Sequence, residues 1–96
     1  MSSYRFKLFI KGGQEGNQNL VQRLNQGFST HLTSGFELEV VDIDLHPEEL
    51  EKNHVLAVPM LIKCEPQPLR RLIGDFTNIQ KILISIGIMP EQKSNG

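Results

Sequence analysis

Residues 4–10 alternate. Tyr4, Phe6, Leu8 and Ile10 fall on one side and Arg5, Lys7 and Phe9 on the other, the period-two pattern of a strand. Three glycines between positions 11 and 16 then predict a loop, with Asn17 placed to cap a helix. Leu20, Val21, Leu24, Phe28 and Leu32 follow helical spacing and predict one apolar helix face, weakened at its middle by Gly27. Ser34 and Gly35 end that helix. The next strand spans 36–45, with Phe36, Leu38 and Val40 on one face and Val41, Ile43 and Leu45 on the other. Pro47 before Glu48, Glu49 and Glu51 predicts a short helix that gives out near Asn53, its acids at the positive end of the dipole. The apolar run 55–64 contains Pro59, which has no ladder donor and so opens a strand or lies at an edge. Residues 65–68 turn the chain into 69–73, and Gly74-Asp75 breaks it. Thr77 and Gln80 read as a capping box for a helix carrying Ile79, Ile82, Leu83 and Ile86, stopped by Gly87 with Pro90 beyond. One stretch is coded twice. Ile82, Ile84, Ile86 and Ile88 also alternate, so 82–88 fits a strand as well as a helix, and two packings of the C-terminal half stay open.

The assembled order is β-α-β-α-β-β-α, an α/β class fold in one domain over 1–90, with 91–96 as a flexible tail. A helix between the first two strands makes them a βαβ unit, parallel with a right-handed crossover. This order, with a proline just before the third strand, matches the thioredoxin arrangement. A redox member would carry a thiol at the start of the first helix, where the dipole lowers its pKa. Gly13, Gln14, Glu15, Gly16 and Asn17 stand there instead, which excludes thiol exchange.

Composition narrows the reading further. Ninety-six residues, 39% hydrophobic and 22% charged, suit one soluble globular domain. Ten Lys+Arg against eleven Asp+Glu argue against a nucleic-acid coat. Seven acids lie between Glu37 and Glu51 with no Lys or Arg among them, a segment that repels phosphate backbones and suits basic partners. Cys64 is the one cysteine, so no internal disulfide or Cys-rich metal site forms. No signal peptide and no membrane-length apolar run are present, which points to the cytoplasm and away from a membrane. Gly12, Gly13 and Gly16 match neither phosphate-binding glycine motif. Asp42, Asp44 and His46 alternate and could share a metal, but without a fourth ligand they read as a solvated acidic face. His31 and His54 are isolated, and Cys64 reads as a small core or edge residue. No nucleophile, base or cofactor-binding set emerges, so an enzyme is not expected. Lys63, Arg70 and Arg71 flank the turn holding Pro66 and Pro68 and gather positive charge at one sheet edge. They read either as edge gatekeepers or as a docking patch for an acidic partner.

The run from Val55 to Lys63, followed by Pro66-Gln67-Pro68-Leu69-Arg70-Arg71-Leu72-Ile73-Gly74-Asp75, resembles the KaiB family of bacterial clock proteins. That family carries a leucine-alanine pair before a proline-opened strand, then a proline-rich turn and a V-R-R-I-I-G-D segment. Asn78, Lys81, Ile82 and Leu83 continue the likeness, and Asp42 and Pro47 fall in place. The resemblance implies a non-catalytic adaptor for a hexameric KaiC-type ATPase. It also implies a homo-oligomer, a tetramer or a dimer, that converts into a thioredoxin-like monomer to bind. Lys63, Arg70 and Arg71 match basic positions linked to partner binding. Pro59, Pro66 and Pro68 match prolines whose isomers differ between the two folds, which would make switching slow. Ser85 and Gly87 stand where members carry Gly and Asp, positions that bias the fold equilibrium. Gln67 replaces the middle residue of a triple-proline turn. Glu39 stands where clock-type members carry a lysine on the strand that captures KaiA, and this reversal counts against KaiA as a partner. A role in stress adaptation outside the three-protein oscillator fits these departures. The chain ends at Gly96 without a kinase portion, which points to a stand-alone adaptor. The alternative is a thioredoxin-like module holding glutathione or a peptide at the Val58 backbone, Asp75 and Thr77, without redox chemistry.

Overall fold

The computed structural model describes residues 3–74 and 76–89. Its elements are β1 (Tyr4–Ile10), α1 (Asn17–His31), β2 (Phe36–Asp42), α2 (Glu48–Lys52), β3 (Met60–Glu65), β4 (Arg70–Ile73) and α3 (Ile79–Ser85). The strands form one sheet in the order β2-β1-β3-β4. β1 and β2 run parallel, joined through α1, and β3 is antiparallel to both β1 and β4. By this pairing β4 points the same way as β2, and these two strands are the sheet edges.

Alternation along the strands sends side chains to two unlike faces. On one, Phe6, Leu8 and Leu61 pack under Leu20, Leu24 and Phe28 of α1 and under Ile82, Leu83 and Ile86 of the C-terminal segment. The Phe6 and Phe28 rings stack at 4.1 Å between centroids. At Gly27 α1 meets α3: a Cβ there would lie 2.5 Å from the Ile79 side chain. The glycine that weakens the helix as sequence is therefore what lets Ile79 seat. The opposite face is thinner, with Phe9, Val41, Met60 and Ile62 buried under residues 43–58, while α2 itself buries none.

The twice-coded stretch is helical through Ser85, then turns at Gly87 with φ +81°. Burial decides this: as a helix end it places Ile82, Leu83 and Ile86 in one core. Both expected caps move by one residue. α1 is preceded by Gly16 at φ 93°, and Asn17 instead donates from Nδ2 to the Lys11 carbonyl at 2.9 Å. α3 is capped by Asn78, whose Oδ1 accepts from the Lys81 N–H at 3.2 Å, in place of Thr77. β2 stops at Asp42, short of 45, because that carboxylate takes N–H bonds from Gly12 and Asp44 and turns the chain. The 91–96 tail and Pro90 lie outside the described residues.

Candidate functional site

The β3–β4 hairpin brings Lys63, Arg70 and Arg71 together, but not as three equivalent surface charges. Lys63 pairs with Arg70 across the ladder, and Ile62 with Arg71. Lys63 shares the parity of Leu61 and therefore points under the helices. It is only 4% exposed, and its Nζ donates to the Pro66 carbonyl at 2.8 Å. Burial, and then the neighbouring Arg70 charge, lower its pKa below the usual lysine value. Arg70 and Arg71 are exposed and make no ion pair with a described residue. Arg70 reaches towards the end of α3, its Nε 3.8 Å from where a Cβ on Gly87 would sit. That position suits a cation, since helix carbonyls end there. Leu69 and Ile73, 41% and 46% exposed, flank the arginines and give the edge an apolar component.

Pro59 directly precedes β3, as expected, and Pro66 and Pro68 shape the hairpin turn; the bonds preceding all three are cis. Ser85 closes α3 on its exposed side, and Gly87 donates its N–H to the Ile84 carbonyl at 3.1 Å. These positions lie before β3, in the β3–β4 turn and at the end of α3. The residues offered for a glutathione or peptide site are divided: Thr77 is exposed, whereas Asp75 lies outside the described residues. Beside Val58, an apolar pocket of about 260 Å³ is lined by Ile43, Leu50, Val55, Leu56 and Ala57.

Asp42, Asp44 and His46 do not converge. Asp42 binds two backbone N–H groups, Asp44 lies 3.4 Å from Lys11, and His46 lies 3.5 Å from Glu48. No group of three potential metal ligands occurs among the described residues. Gly12 is glycine for a local reason, since a Cβ would run into the Asp42 carboxylate. The acidic segment splits between the β2 edge, where Glu37 is 3.6 Å from Arg5, and α2, where Glu49 is 4.0 Å from Lys7. No described helix is long and apolar enough to cross a membrane. Neither the burial of Lys63 nor the apolar flanks of the arginines was expected from the sequence; strand parity gave the side of Lys63 and no more.

By fold, this is a thioredoxin-like α/β domain without a thiol at the head of its first helix and with two exposed arginines on an edge strand. Among solved structures it resembles the N-terminal domain of SasA from Synechococcus elongatus, with a TM-score of 0.73 and 20% identity over 97% of this chain and 91% of that one. It also resembles mitochondrial thioredoxin 3 from Saccharomyces cerevisiae, with a TM-score of 0.69 and 14% identity over 93% and 81% of the two chains. At these identities the likeness concerns the fold alone. The chain belongs to the KaiB family: the KaiB domain matches residues 7–88. It is 30% identical over 94 residues to the circadian clock oscillator protein KaiB of Acaryochloris marina, covering 98% of this chain and 90% of that protein. It is also 30% identical over 91 residues to the circadian clock protein KaiB3 of Synechocystis, covering 95% and 89%.

Proposed function

We propose that this chain is a non-catalytic, cytoplasmic adaptor that binds a hexameric KaiC-type ATPase and modulates its activity or signalling in circadian or stress-related regulation. Family membership across residues 7–88 is the observation that carries this reading. The docking surface is the β4 edge, where the exposed Arg70 and Arg71 offer bidentate contacts to acidic groups and Leu69 and Ile73 add apolar area. Lys63, at 4% exposure, supports that edge from beneath by bonding the Pro66 carbonyl. The acids on β2, Glu39 among them, argue against KaiA as a further partner.

The bound form is a monomer in the thioredoxin-like packing described above, and the resting form is a homotetramer with the C-terminal half repacked. The double coding of 82–88 supports this, because the same isoleucines satisfy either period. Pro59, Pro66, Pro68, Ser85 and Gly87 are the positions about which the repacking turns.

Size-exclusion chromatography with light scattering tests both parts, on the chain alone and with the ATPase plus ATP. A tetramer that shifts slowly into a ring-sized complex is expected. Replacing Arg70→Glu and Arg71→Glu together should weaken binding by about tenfold or more, with circular dichroism unchanged. Retained affinity in that variant would overturn the docking edge.

A further inference from the structure

The two edges of the sheet are unlike in charge. On β2, Glu37 and Glu39 project from the face opposite α1, and Glu39 has no ion pair with any described residue. On β4, Arg71 and Ile73 project from that same face, and Arg70 and Leu72 from the helix-covered one. Among the described residues no backbone bond outside the sheet ladder engages 36–41 or 70–73, so both edges keep an outward row of N–H and C=O groups. Such rows are templates for another strand.

Which strand each edge accepts follows from the side chains. Two β2 edges meeting antiparallel would bring glutamates together, and two β4 edges would bring arginines together; both pairings are repelled. β4 against the β2 of another copy is complementary. Because β4 and β2 point the same way, that pairing is parallel and continues the sheet without turning either face over. In one register Arg71 lies beside Glu39 and Ile73 beside Val41 on one face. Leu72 then lies beside Val40, which is 41% exposed, and Arg70 beside Leu38 on the other.

We propose that the β4 edge of one copy pairs head-to-tail with the β2 edge of the next, in parallel. A heterologous contact of this kind produces rings or open chains rather than a closed pair. It is distinct from an isologous tetramer.

Sedimentation velocity in low salt, up to about 1 mM protein, should show concentration-dependent growth that fades as salt is raised. Glu37→Lys/Glu39→Lys and Arg70→Glu/Arg71→Glu should each be folded and show no concentration-dependent growth, while their equimolar mixture associates at least about tenfold more strongly than either alone. Growth in each variant alone, or none in the mixture, would overturn the proposal. Oppositely charged chains also attract without register, so position is read separately. In a Cys64→Ser background, chains carrying Val40→Cys and Leu72→Cys should form a disulfide across the two when mixed, and far less when either is oxidised alone. Equal yields, or no heterodisulfide, would overturn the proposed register. The Glu37→Lys/Glu39→Lys variant keeps Arg70 and Arg71, so its binding to the ATPase separates a failure here from a failure of the docking edge.

Discussion

Lys63 sits between an apolar core and an arginine, and each raises the cost of its charge. In the unfolded chain the ammonium keeps its proton up to the ordinary value of 10.5, whereas in the fold it gives the proton up earlier. Between the lowered value and 10.5 the unfolded state therefore binds more protons, and stability rises with pH across that window. Below it the penalty is constant. Lys63→Met keeps the length of the side chain and leaves the exposed Pro66 turn to water. Urea titrations at a series of pH values should show the alkaline rise diminished in that variant, and an identical slope would remove Lys63 as its source. Gly27 supplies a second test. Gly27→Ala gains helix propensity but drives a methyl into Ile79, so a net loss of about 1 kcal/mol is expected. In an Ile79→Ala background the obstacle is gone, and the same change should stabilise by up to about 1 kcal/mol. Additivity between the two substitutions would mean that the helices do not meet at this glycine.

Elements were legible wherever periodicity had one solution. β1, α1 and the β3–β4 hairpin carry unambiguous patterns, and the parallel β1–β2 pair follows from the helix between them. Caps were harder, because Asn17 and Thr77 are good capping residues that lie one position from the true boundary. The depth of Lys63 was hidden for another reason. Parity gave its side of the strand, but only the docking of two helices on that face makes the side dry. The 82–88 stretch is the sharpest case, since burial rather than local pattern selects the helix. Gly87, at φ +81°, is then a position where a side chain would strain the observed turn. Gly87→Ala should cost the present packing about 1 kcal/mol, read by denaturant midpoint. Under the proposed switch, the variant should also gain tetramer at the expense of monomer. Earlier unfolding with an unchanged oligomer distribution would count against the switch.

Over the whole molecule, a net charge of −1 conceals a separation. Acids occupy the β2 edge and α2, while Arg70 and Arg71 mark the opposite sheet edge. Such a molecule turns in the field of an acidic partner before it touches it, so exposed arginines act chiefly on encounter. Neutralising them differs from reversing them. Arg70→Gln/Arg71→Gln removes the attraction without adding repulsion and leaves the buried Lys63 in place. Under the proposed adaptor role, stopped-flow or surface-based kinetics with the ATPase should show the association rate falling, with a flatter dependence on salt than wild type. Dissociation should change less, because the exposed Leu69 and Ile73 are still there to make apolar contacts. The opposite division, with association untouched and dissociation accelerated, would place the arginines in a desolvated contact formed after docking. The edge would then hold the complex rather than orient its approach.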